Sequence, residues 1–147
     1  MQTITDYLSL DHKFCDELFF TAKTFVENDN WQQAKEKFEK FFSTMNRHID
    51  VEEKILFPAF EKAIGTPNGP TRVMCSEHIE IRKSLDNIQV AITNHDKDKF
   101  LLETQLFLNI LQPHSAKEEQ ILYPMCDDNL SEEMDDLITK MKQYRQK

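Results

Sequence analysis

Apolar residues at positions 8, 15, 19, 22 and 26 fall on one helical face and predict a first helix from about Thr3 to Asn28. His12 occupies the same seam. Trp31, Ala34, Phe38, Phe41, Met45, Ile55 and Ala59 mark a second helix, and the two seam positions where hydrophobes are missing hold His48 and Glu52. The linker Gly65-Thr66-Pro67-Asn68-Gly69-Pro70 stops that helix with glycine and proline in the usual breaking order. A third seam runs through Met74, His78, Ile81, Leu85, Ile88 and Ile92 and ends near Asn94-His95-Asp96. A fourth runs through Phe100, Thr104, Phe107, Leu111, His114, Glu118, Ile121 and Met125, again with histidine and glutamate as its odd members. Ser131-Glu132-Glu133 opens a short last helix over 131–145, whose Met134, Leu137, Ile138 and Met141 are expected to pack on the outside. Short connections imply antiparallel neighbours. The expected fold is all-α, an up-down-up-down four-helix bundle with a short extra C-terminal helix, in one domain over 1–147.

The interruptions of the seams are themselves periodic. His48-x-x-x-Glu52-Glu53-x-x-Leu56-Phe57-Pro58 recurs 66 residues later as His114-x-x-x-Glu118-Glu119-x-x-Leu122-Tyr123-Pro124, and the same step carries His12 onto His78. The repeat units are 11–60 and 77–126, and each contains a complete set of ligand-type residues. In an antiparallel hairpin, residues equidistant from the turn share a height. The midpoint of His12 and His48 is residue 30, that of His78 and His114 is residue 96, and that of Glu52 and His78 is residue 65; each falls in a predicted turn. All six residues therefore meet in one core layer, about 27 Å from the first and third turns.

Composition narrows the function classes. Two glycines and five prolines in 147 residues suit long helices with few turns. A net charge of −8 and a pI near 5.1, with no basic stripe, predict neither nucleic acid nor membrane as partner. With no apolar run of membrane-spanning length and no signal-like start, a cytoplasmic location is the default. The odd cysteine count, Cys15, Cys75 and Cys126, without C-x-x-C spacing, predicts free, mostly buried thiols.

Imidazoles and carboxylates gathered in a core layer require compensation for their burial, which a metal supplies. Residues four apart share a helix face, so each His-x-x-x-Glu offers a nitrogen and an oxygen to one point. Nitrogen and oxygen ligation without thiolate suits iron, with manganese or zinc as alternatives. His12, His48, Glu52, His78, His114 and Glu118 exceed what one tetrahedral ion needs and suit two ions bridged by both carboxylates. With an oxide or hydroxide bridge, one position would stay open on each octahedral ion, side by side, where a diatomic or peroxide would bind.

These motifs resemble those of hemerythrin-like HHE cation-binding domains: an early histidine, H-x-x-x-E-E-x-x-L-[FY]-P, a second histidine and the motif again, matching from about Thr5 to Pro124. The resemblance implies a non-haem di-iron centre in a four-helix bundle, with those six residues as ligands. Oxygen-carrying members add a fifth histidine where this chain has Met74 and close with His-x-x-x-x-Asp, where it has Glu118 at the fourth position. The four-His, two-Glu set looks more like di-iron proteins tied to nitric oxide, oxidative stress and iron-sulfur cluster repair, whose usual N-terminal cysteine-bearing segment is not in this sequence. The expected function is binding, sensing or reduction of dioxygen, nitric oxide or peroxide, with an electron donor or client protein as a further partner. Its rivals are iron or oxygen storage without turnover and a metal-dependent regulatory module. Glu53 and Glu119 are left open between supporting the ligands and facing solvent. Phe57 and Tyr123 are expected to pack against neighbouring helices, Leu8, Met74, Ile55 and Ile121 to keep the pocket dry, and His95 to lie on the surface.

Overall fold

A computed structural model describes residues 2–145; Met1 and residues 146–147 of the expected domain lie outside the described part. Four long helices form the body, as the seams predict: α1 (Ile4–Glu27), α2 (Trp31–Val51), α4 (Pro70–Thr93) and α5 (Lys97–Lys117). Helix α2 continues through a π-turn at Glu52–Leu56 into α3 (Phe57–Ile64), and α5 through a π-turn at Glu118–Leu122 into α6 (Tyr123–Asn129). The last helix, α7, spans Met134–Arg145. It starts three residues after Ser131, because residues 131–133 form a turn rather than a cap. No strand occurs among the described residues, and none of their helices is long and apolar enough to cross a membrane.

Local chemistry sets the ends of these helices. Thr3 and Asp6 make a reciprocal capping box on α1, Asn30 caps α2 through the Gln33 amide, and Asp96 caps α5 through the Lys99 amide. The Asp127 carboxylate, on α6, also accepts the Ile4 N–H at 2.8 Å and ties the start of α1 to the residue just after the second repeat. Asp29 and His95, 66 residues apart, both take positive φ in the turns that close the two hairpins. His95 is exposed, as expected, and stacks on Trp31 with ring centroids 4.9 Å apart. Gly65, at φ 82°, ends α3 in the left-handed conformation that glycine adopts without strain.

The π-turns correct the sequence reading. A π-turn holds one residue more than an α-turn, so the apolar face beyond it slips by one position. Leu56 and Phe60 are fully buried where Ile55 and Ala59 were expected to be, and these two are only half-buried. On the second rod, Leu122, Tyr123 and Cys126 are buried, Met125 is half-buried, and Ile121 is 55% exposed. Ile121 therefore does not line the pocket. Both π-turns close with a five-residue bond, Phe57 N–H to the Glu52 carbonyl and Tyr123 N–H to that of Glu118. Each precedes a proline, but Pro113 sits inside α5 without a π-turn, so proline alone does not produce one.

Two apolar clusters fill the interior. One, centred on Phe19, Phe38, Phe41 and Phe107, lies between the donor layer and the first and third turns. The other joins Leu8, Met74, Phe57 and Phe60 to the buried Met134, Leu137, Ile138 and Met141 of α7. The six predicted ligands lie between them.

Candidate metal centre

Helix pairing brings all six predicted residues together, and each is at most 7% exposed. Their donor atoms form two overlapping groups, His12, His48 and Glu118 in one and Glu52, His78, His114 and Glu118 in the other. Each antiparallel hairpin thus contributes a histidine pair, with ring centroids 4.6 Å apart for His12 and His48 and 4.9 Å apart for His78 and His114. Glu118 belongs to both groups, with Oε1 3.2 Å from His12 Nε2 and 3.3 Å from His114 Nε2. Glu52 Oε1 lies 3.2 Å from His78 Nε2 and 3.5 Å from His48 Nε2.

Each histidine is held from behind by a carboxylate on Nδ1. His48 pairs with Asp11 at 2.6 Å, His114 with Glu77 at 2.7 Å, His78 with Glu53 at 2.6 Å and His12 with Glu119 at 3.1 Å. This settles the open question of Glu53 and Glu119, each of which crosses to the histidine of the other repeat. The π-turn makes this geometry available, since it begins at Glu52 and Glu118 and rotates the next residue. Sequence reasoning missed Asp11 and Glu77. Their signal was present: both immediately precede a predicted ligand and are 66 residues apart.

These bonds decide what the other ring nitrogens do. A neutral imidazole whose Nδ1–H donates to a carboxylate presents the Nε2 lone pair inward, where it faces the oxygens of Glu52 and Glu118. Lone pair against carboxylate is repulsive unless a cation stands between them. Accordingly, Glu52 Oε1, His78 Nε2 and Glu118 Oε2 are buried without a hydrogen-bond partner, although the first two are only 3.2 Å apart. In the metal-free protein a proton is the available cation. Burial pulls His78 down, but the adjacent carboxylates of Glu52 and Glu53 outweigh it and raise the imidazole to about 9. Burial opposes protonation of His12 and His48 in the same way, and their carboxylate neighbours again win, raising both. Glu52, pushed up by burial, is pulled well below its ordinary value by the His48 charge and by its hydrogen bonds. A donor set that draws protons into a dry core fits a metal ion.

Tyr123 is fully buried, as its packing role requires, but its hydroxyl reaches into the donor layer. Its Oη donates to Glu52 Oε2 at 2.6 Å and lies 3.2 Å from both Glu118 Oε1 and His12 Nε2 and 3.4 Å from His48 Nε2. Burial first, then the charges of Glu118 and Glu52, raise the phenol well above its ordinary value, so it stays a donor. The repeat breaks here, because the equivalent residue, Phe57, stacks on His78 with centroids 5.9 Å apart and carries no hydroxyl. Leu8 and Met74 are buried in the adjoining cluster, and Ile55 packs against it half-buried.

The cysteines are free, Cys15 and Cys126 buried and Cys75 half-buried. Cys75 forms a third group with Glu53 and His78. Burial, then the charge of Glu53, raises its thiol to about 11, and the Glu53 carboxylate is already taken by His78 Nδ1.

Comparison with known proteins agrees with this geometry. The family model described as the hemerythrin HHE cation-binding domain matches residues 3–126. A curated relative named DNA nickase, from Nostoc sp. (strain PCC 7120), is 24% identical over 130 residues, covering 88% of this chain. The chain spans only about a third of that protein's length, 35%. No solved structure matches.

Proposed function

This chain belongs to the hemerythrin HHE cation-binding family, and on that premise we propose that it is a non-haem di-iron protein that binds a small oxidant and senses or reduces it. His12, His48, His78 and His114 would hold the ions through Nε2, with Glu52 and Glu118 as the carboxylate ligands. The observation that carries the reading is the set of unpartnered, fully buried donor atoms on Glu52, His78 and Glu118. Manganese or zinc would satisfy the same donors, but the imidazole-rich set favours iron over manganese, and zinc offers no redox step. Iron bound there supplies Lewis acidity and steps between its ferrous and ferric states.

The chain's own residues do the rest. Asp11, Glu53, Glu77 and Glu119 fix each imidazole with its Nε2 inward. Tyr123 Oη holds a proton beside Glu52 Oε2. Met45, Ile49, Ile81 and Leu111 bound the remaining space and exclude water. That space is about 10 Å³, close to the least that one water requires. A space of that size has no room for a bulky organic substrate. Nicking is not carried over from the relative of that name, since a net charge of −8 opposes approach to duplex DNA.

Anaerobic loading with ferrous iron, followed by optical spectra before oxygen, after oxygen and after its removal, tests the function. Irreversible conversion to a ferric spectrum, with turnover under excess reductant, supports redox chemistry; a fully reversible band with no turnover supports carriage or storage instead. Glu52→Ala and Glu118→Ala are expected to abolish binding of the ion pair. Two tightly bound irons in either variant would refute the ligand assignment.

A further inference from the structure

The 66-residue repeat makes two faces of the bundle equivalent, the α1–α5 face beside His12 and the α2–α4 face beside His78, yet the two are built differently. On the α2–α4 face Ile49 is buried, and outside it Arg82 bonds Asp50 at 2.9 Å and also Asn46. That face is closed by an apolar plug under a charged clasp. The repeat places Ser115 where the other face has Ile49, Ala116 opposite Asp50, and Asp16 opposite Arg82. Here a cleft of about 340 Å³ opens between α1 and α5. Its floor, His12, Leu111 and Ser115, also bounds the small space among the six donors. His12 is accordingly the most exposed of the six at 7%, against 1% for His78.

The charge of the cleft selects what passes. Asp16 and Glu119 line it and no lysine or arginine does. Asp16 has no ion-pair partner among the described residues, whereas its counterpart on the closed face is the cation Arg82. The Glu119 carboxylate, 3.1 Å from His12 Nδ1, stands between this mouth and the first histidine. Beyond it, Glu118 Oε2 is buried without a partner.

We propose that the α1–α5 cleft is the port through which divalent metal ions reach the buried centre, the equivalent α2–α4 face being sealed. The port rests on the metal-centre reading above. It attracts the cation at Asp16, passes it over the small side chains of Ser115 and Ala116, and delivers it to His12.

Cobalt(II) uptake by the metal-free protein, followed by its visible absorption in a stopped-flow instrument, tests the port without any activity assay. Ser115→Ile installs the plug used on the other face and is expected to slow uptake at every salt concentration while leaving the final cobalt stoichiometry unchanged. Asp16→Lys, at an exposed position, is expected to slow uptake about tenfold at low salt and to recover as salt screens the mouth. Asp98→Lys, the same charge change near the third turn, is expected to load at the wild-type rate. Wild-type rates in both Ser115→Ile and Asp16→Lys overturn the port while leaving the centre intact. A wild-type protein that takes up no cobalt overturns both.

Discussion

Asp11→Asn isolates what the carboxylates behind the histidines contribute, because the repeat supplies its own control in Glu77→Gln. Asp11 is 4% exposed and is held from both sides, by His48 Nδ1 at 2.6 Å and by Arg145 Nη2 of α7 at 2.7 Å. Asparagine keeps the shape and one neutral hydrogen bond but removes the charge from both contacts. A hydrogen bond to a charged group contributes roughly 1.5–3 kcal/mol and a neutral one about half that, so the His48 bond, together with a similar loss from the half-buried Arg145 ion pair, costs about 1.5–3 kcal/mol. For a chain of this length that lowers Tm by about 3–12 °C. Glu77 makes the matching bond to His114 at 2.7 Å, but its second partner, Lys117, is 42% exposed, and an exposed pair contributes about 0–1 kcal/mol. Glu77→Gln should therefore cost markedly less stability. Both variants should lose about 10–100-fold in metal affinity, since each loosens one ligand histidine. Thermal unfolding of the metal-free proteins and chelator competition for the loaded ones read the two quantities separately. Equal Tm losses in the two variants, or wild-type metal affinity in either, would refute the reasoning.

Three further outcomes are expected. His12, His48 and His78 gain carboxylate partners on folding, so their stabilisation of the metal-free protein is complete below the unfolded value of 6.5 and is lost as pH rises through their raised folded values, about 9 for His78. Tm of the metal-free protein should fall from pH 6.5 to 9 while metal affinity, which requires those protons to leave, rises over the same window; a flat Tm contradicts the raised values. Tyr123→Phe removes the 2.6 Å donor to buried Glu52 and should lower metal-free stability by about 1–3 kcal/mol in urea titration; an unchanged midpoint would mean that the hydroxyl does not satisfy Glu52. Phe19→Ala should cost about 3–5 kcal/mol, because Phe19 packs at 5.0 Å from Phe41 and 5.3 Å from Phe107, and should leave metal affinity unchanged, since that cluster lies below the donor layer.

The linear chain by itself determined the helices, their antiparallel order and the convergence of the six donors. Those follow from period and distance along a helix, which local residues set without help: seams end at Asn30, Gly65 and Asp96, and turns at those places force His12, His48, Glu52, His78, His114 and Glu118 to one height. Only the tertiary structure decided which atoms meet across helices. The slip of one residue at Glu52–Leu56 and Glu118–Leu122 cannot be seen in a 3.6-residue period; it exposes Ile121, buries Leu122 and swings Glu53 and Glu119 onto histidines of the opposite repeat. The pairing of Asp11 with both His48 and Arg145, and the arrival of the Tyr123 hydroxyl among the donors, likewise join residues far apart in sequence. Periodicity fixes the face of a helix on which a side chain stands. Whether that face meets a lone pair, a carboxylate or water depends on the neighbour packed against it, and that neighbour is set by the bundle as a whole.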